Sequence, residues 1–186
     1  MAKILGCEDE GRAYVDDCRR LVTLVQDRLK DIPVDQRRRV LFSGPKSIYT
    51  VATGEMLQSQ SLSLAGATNL AAGLKGFWAD ISPEQVATWD PDVIFIGSSL
   101  ATYWLGDIYS NPQFMTVKAI RNHQVHVFPS TIGWWDYPAP HCVLGVVWAA
   151  KTLYPDRFED IDMRAIADDF YAKYLGHTFT AMGGTL

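Results

Sequence analysis

Groupings that mark metal-binding and catalytic proteins are missing from this chain. Its three cysteines, Cys7, Cys18 and Cys142, lie too far apart for a metal knuckle, and their odd number leaves at least one thiol free. No apolar run approaches the roughly 18 to 20 residues that a membrane-spanning helix needs. Basic residues form no stripe. Arg37-Arg38-Arg39 is a short cluster, read as the solvated entry to a strand, and a net charge of −4 argues against a nucleic-acid partner. Gly44-Pro45-Lys46-Ser47 lacks the spacing of a phosphate loop. Ser98-Ser99 lacks the Gly-x-Ser-x-Gly turn of a nucleophile elbow. His123 and His126, three apart on an expected strand, point to opposite faces. His141-Cys142 has no further donors nearby, so zinc lacks ligands. Ile4-Leu5-Gly6-Cys7 has the form of a bacterial lipoprotein box, but no apolar stretch precedes it. That match is read as accidental, and no export signal is expected in the chain as written.

What is present is a globular composition and one unusual loop. At 48% hydrophobic and 20% charged residues over 186 positions, the chain can build a sizeable core, as one domain or one large lobe of something bigger. The loop is Phe128-Pro-Ser-Thr-Ile-Gly-Trp134-Trp135-Asp136-Tyr137-Pro-Ala-Pro140, between a short strand from His123 to Phe128 and an apolar helix starting near Ala139. Large rings lose little rotamer entropy on ordering and offer flat apolar faces with polar handles. In α/β proteins such loops lie at the carboxyl ends of strands, where ligands bind. The competing reading is an aromatic plug over a local core.

Residues 8–30 carry Val15, Leu21, Val22, Leu24, Val25 and Leu29 at helical spacing among charges, which predicts one long helix ended by Pro33. A buried strand follows at 39–43, closed by Gly44-Pro45. Residues 53–64 read as a helix terminated at Gly66, and 74–80 as a loop. Ser82-Pro83-Glu84-Gln85 is a helix start, with Ser82 at the N-cap and Pro83 at the first helical position. Val93-Ile-Phe-Ile-Gly97 is apolar on both faces, which predicts a central parallel strand. A loop with Tyr103 and Trp104, a small helix from Phe114 to Ile120 and a strand at 124–128 come next. Helices at 139–153 and 162–175 end the ordered part, and the tail from Gly176 is expected to be weakly ordered. Strands alternating with helices give an α/β fold: a three-layer lobe with a mostly parallel central sheet, preceded by a long helix. The division expected is residues 1–33 for the helix, 34–176 for the lobe and 177–186 for the tail. No internal repeat and no low-complexity segment interrupts this order.

The ordered motifs carry a resemblance. Arg38-Arg39-Val40-Leu41-Phe42 follows the long helix; then come Trp78-Ala-Asp-Ile-Ser82-Pro-Glu84-Gln85, Trp89-Asp-Pro-Asp92-Val-Ile and Val117-Lys-Ala-Ile-Arg-Asn122. Trp134-Trp-Asp-Tyr-Pro-Ala-Pro140 and Leu144-Gly-Val-Val-Trp-Ala-Ala-Lys-Thr-Leu-Tyr-Pro-Asp-Arg-Phe158 complete the pattern. Over about residues 8–176 the chain resembles the class III, helical-backbone, periplasmic substrate-binding proteins of ABC importers, of the iron–siderophore, haem and cobalamin type. Members of that family have two α/β lobes joined by a long helix, with ligand held in the cleft between them. The resemblance therefore implies the carboxy-terminal lobe, with the amino-terminal lobe and its export signal outside the sequence.

The same resemblance implies a non-catalytic contact surface without a cofactor of its own. Matching positions for the ligand face are Tyr49, Trp78, Tyr103, Trp134, Trp135 and Asp136, suited to stacking on a small metal complex or macrocycle. Each aromatic has a competing reading as a core or capping residue. Glu84 matches the acidic residue that each lobe presents to arginines of the membrane permease; its competing role is to favour the helix dipole. A lone lobe would leave apolar area wet, so self-association is expected, through helix 8–30 or the Trp134–Trp135 surface. The partners implied are the permease, a metal-complex ligand, an opposing lobe and a second copy. A non-transport assembly or regulatory module on the same lobe is the main rival. An enzyme on a nitrogenase-type scaffold is a weaker one, since the cysteines do not suit a cluster.

Overall fold

The computed structural model describes residues 2–44, 46–97, 105–129 and 131–186. In chain order these form α1 (Ala2–Leu5), α2 (Glu8–Leu29), β1 (Arg38–Ser43), β2 (Thr50–Ala52), α3 (Leu57–Leu64), β3 (Ala67–Asn69), β4 (Trp78–Asp80), α4 (Pro83–Trp89), β5 (Val93–Ile96), α5 (Leu105–Ser110), α6 (Lys118–Arg121), β6 (Val125–Val127), α7 (Cys142–Leu153) and α8 (Met163–Leu175). The sheet runs β4-β2-β1-β5-β6, with β3 also on β1. β1 pairs in parallel with β3 and β5, and β5 with β6, whereas β2 is antiparallel to both β1 and β4. A parallel centre thus carries an antiparallel ribbon on one side.

Alternation along the two central strands sorts the core into two layers. Val40, Phe42, Val93 and Phe95 face a cluster shared with Leu21, Val25 and Leu29 of α2, Leu62 of α3, the apolar face of α7, and Ala167 and Phe170 of α8. Leu41, Ile94 and Ile96 face a second cluster with Val86 of α4, Ile108 of α5 and Ile120 of α6. Helices therefore cover both faces, the three-layer α/β arrangement expected. All four residues of β5 are buried, as its unbroken apolar run requires of a strand flanked by parallel neighbours.

Local chemistry sets several boundaries. The Ser82 side chain accepts from the Gln85 N–H, with Pro83 beginning α4. Asp162 accepts from the N–H groups of Arg164 and Ala165 at the start of α8, and Gly176 ends it in the left-handed region at φ 80°. Other boundaries depart from expectation. The helix expected from residue 53 begins at Leu57, because β2 and a turn occupy the preceding residues. The presumed loop 74–80 ends in β4, whose pairing with β2 supplies the hydrogen bonds that its short sequence does not advertise. His123 sits in a left-handed turn at φ 54° ahead of β6 and not on a strand.

The tail is packed, contrary to expectation. Phe179 is fully buried, its ring 5.4 Å from Trp135 and 5.2 Å from Tyr171. Thr180 donates to Asp168 through both its N–H and its hydroxyl, and the Thr185 N–H donates to the Thr131 hydroxyl. The buried ring and the Thr180–Asp168 hydrogen bonds together hold the tail against α8.

Candidate functional site

The carboxyl ends of the parallel strands β1, β5 and β6 lie at one edge of the sheet. Behind β1, a Cβ at Gly44 would fall 2.1 Å from the Trp78 ring, so only glycine lets that indole lie over the end of the strand. Trp78 is half-buried, tilted against Phe42 at 6.3 Å between ring centres. At the end of β5, a Cβ on Gly97 would stand 3.0 Å from Asp136 Oδ2. The aromatic loop therefore reaches back across β5 from the end of β6. Its Trp135 N–H donates to Pro129 O at 3.2 Å, and Gln58 of α3 donates to Asp136 O at 2.9 Å. A Cβ at Gly145 in α7 would meet Trp135 O at 2.4 Å, so that glycine allows the loop backbone to rest on the helix.

The two adjacent indoles have opposite fates. Trp134 is 44% exposed and makes an edge contact with Tyr137 at 4.9 Å. Trp135 is 1% exposed; its Nε1–H donates to the Tyr171 hydroxyl at 3.0 Å, and that hydroxyl donates on to Ile132 O at 2.5 Å. Burial pushes the Tyr171 hydroxyl above its ordinary pKa, against the Trp135 hydrogen bond. Trp135 is thus a core group, which corrects the expectation that both indoles form one contact face. The plug reading holds for one ring and the surface reading for the other. Asp136 is 3% exposed, beneath the loop.

Tyr49 stands apart from this group. It is half-buried, with its ring 5.5 Å from Phe114 and its hydroxyl donating to Gln113 Oε1 at 3.2 Å. It belongs to the layer opposite Trp78. Tyr103 lies outside the described residues, as do Trp104 and Ser98-Ser99. Glu84 is exposed on the first turn of α4, where its own backbone N–H and the Ser82 hydroxyl lower its carboxyl pKa. Sequence reasoning missed Gln58, Tyr171 and Phe179, which brace the loop from α3, α8 and the tail. Only Phe179, a lone ring in a polar tail, gave any signal.

His141 precedes α7 against Gly133, 5.7 Å from the Tyr171 ring. Burial lowers its pKa, against a hydrogen bond to the Trp134 backbone, and its Nε2 has no partner among the described residues. Among those residues no group of three or more His, Cys, Asp or Glu is arranged to hold a metal ion, and no helix is long and apolar enough to cross a membrane.

Comparison with known proteins agrees with this fold. The molybdate-binding protein MolA of Haemophilus influenzae is 33% identical over 153 residues, covering 81% of this chain and 42% of that protein. Its molybdate-bound structure superposes with a TM-score of 0.82 at 28% identity, over 95% of this chain and 54% of the other. The Fe(3+)-citrate-binding protein YfmC of Bacillus subtilis is 24% identical, with coverages of 68% and 39%. Helicobacter pylori CeuE, solved with Ni-His, gives a TM-score of 0.74 at 26% identity, over 86% of this chain and 50% of the other. The chain spans about half the length of these relatives or less. Residues 1–131 match the periplasmic binding protein family, and the chain belongs to that family, with the α/β lobe and long helix of its class III, ABC-importer members.

Proposed function

We propose that this chain is the carboxy-terminal lobe of the substrate-binding component of an ABC importer, working in the periplasm without catalysis. Family membership supports binding over chemistry. The observation that carries the reading is the edge where β1, β5 and β6 end, with Trp78, Gly44, Gly97 and the Trp134 loop gathered on it. Ligands of open α/β sheets bind at such carboxyl edges. An opposing lobe would close over this edge to complete the cleft.

The ligand is proposed to be a small metal-bearing anion, of the metal oxyanion or ferric chelate kind. The relatives point there, one named for molybdate and another for ferric citrate. Half-exposed Trp78 and exposed Trp134 offer apolar faces to the organic part of a chelate or siderophore. Haem and cobalamin, included among the ligands the resemblance implied, draw no support from these relatives. Tyr49 and Asp136 are assigned supporting roles, Tyr49 at the rim and Asp136 in the floor of the loop. Calorimetric titration with molybdate, ferric citrate and a ferric hydroxamate siderophore, each with an opposing lobe supplied, tests the reading. Binding of one of them, weakened at least tenfold by Trp78→Ala and by Trp134→Ala, is expected. Unchanged affinity in both variants would sink the assigned surface.

Glu84 is proposed as the contact to the permease. Exposed rim charges steer encounter more than they add affinity. Glu84→Ala should therefore slow association with permease in nanodiscs, with a weaker salt dependence. Equal association rates at low salt would remove that role.

A further inference from the structure

Two of the three cysteines, far apart in sequence, line one groove. An apolar cavity of about 520 Å³ runs between α2, α3 and α7, and both Cys18 and Cys142 line it, together with Tyr14, Val22, Leu57 and Val146. Cys18 lies in the middle of α2 and Cys142 is the first residue of α7. Tyr14 joins them: its hydroxyl donates to Pro140 O at 2.9 Å, two residues before Cys142, and Cys18 lies one helical turn further along α2. All three thiols are free and half-buried. Cys7 is elsewhere, its Sγ 3.8 Å from Ala2 O. Burial foremost, with a further contribution from the Cys18 sulfur, pushes the Cys142 thiol up.

We propose that Cys18 and Cys142 form a reversible dithiol–disulfide pair that locks α2 onto the start of α7. The oxidant is a small-molecule disulfide such as oxidised glutathione. The Cys18 thiolate attacks one glutathione sulfur, forming a mixed disulfide and expelling one glutathione thiolate. The Cys142 thiol loses its proton to solvent and displaces the second glutathione from Cys18, closing the protein disulfide. Two protein thiols lose two electrons and two protons, and one glutathione disulfide becomes two glutathione thiols. A bridge needs Cα atoms roughly 4.4–6.8 Å apart. The two positions face one groove, with Tyr14 of α2 bonded to the chain two residues before Cys142. The bond would fix the long helix to the helix on which the Trp134 loop rests. It stands on the groove geometry alone and is independent of the ligand assigned above.

The test uses the full chain and oxidised glutathione near the ordinary cysteine pKa of about 8.5. Titratable thiols under denaturing conditions should fall from three per chain to one. Peptide mapping without reductant should recover the Cys18 and Cys142 peptides joined, with dithiothreitol restoring the original count. Cys7→Ser should leave the joined peptide in place, whereas Cys18→Ser should leave Cys142 free or carrying glutathione. Mapping the unsubstituted chain decides the matter even if a variant fails to fold. Glutathione adducts on Cys18 and Cys142 without a joined peptide, a link to Cys7, or a link between two chains would each overturn the proposal.

Discussion

Tyr171 holds the aromatic loop through one hydroxyl, accepting from Trp135 and donating to Ile132 O. Removing it by Tyr171→Phe leaves the fully buried indole N–H without that partner. An unsatisfied buried donor costs about 1–3 kcal/mol, so urea unfolding should show a loss of that size. Trp134→Ala, on an exposed ring, should stay within about 0.5 kcal/mol of the parent. If both variants cost the same, the division of the Trp134–Trp135 pair into a surface ring and a core ring is wrong. At this scale the sequence announced an aromatic loop, but not which indole would point inward. That choice rests on Tyr171 and Phe179, dozens of residues away, filling one side of the loop.

Among the elements, α2 is held to the rest by a buried stripe and by charged pins. Leu21, Val25 and Leu29 enter the core. Lys173 and Tyr174 of α8 hydrogen-bond the Asp17 carboxyl, Arg28 pairs with Asp160, and Arg157 pairs with Asp31. These partners hold the Asp17 and Asp31 carboxyls below their ordinary range and bring Asp160 down to about 2. Across the sheet, burial works against Asp92, yet Lys118 and the Arg39 N–H still leave it lowered. A carboxyl lowered on folding adds stability fully present above its unfolded pKa of about 3.9 and lost as pH falls through the folded value. The melting temperature should therefore drop between about pH 4 and pH 2, and Arg28→Met should flatten part of that drop. A melting temperature constant across this window would remove the pins from the account. The amphipathic period made α2 legible at once. The three-residue strands β2, β3 and β4 were not, because pairing rather than an apolar run creates them, whereas the equally short β6 lies in the apolar segment ending at Phe128.

For the whole molecule, the apolar groove beside α2 leaves Val15 40% and Leu64 37% exposed. We expect the isolated chain to self-associate through this face, since wet apolar area of that kind marks an interaction surface. Light scattering at increasing concentration should show a dimer, and Leu64→Lys should return it to monomer. A monomer at high concentration would assign the groove to another use. The alternation of apolar strands with amphipathic helices was enough to determine the three-layer α/β class and the order of its main elements, because periods of 2 and 3.6 are written directly into side-chain order. The convergence of Gly44, Trp78, Gly97 and the Trp134 loop, the burial of Trp135, the folding back of Phe179 and the lining of one groove by both Cys18 and Cys142 were decided only by tertiary structure. Each joins residues distant in sequence, and whether a side chain is covered depends on what packs against it, which local order does not encode.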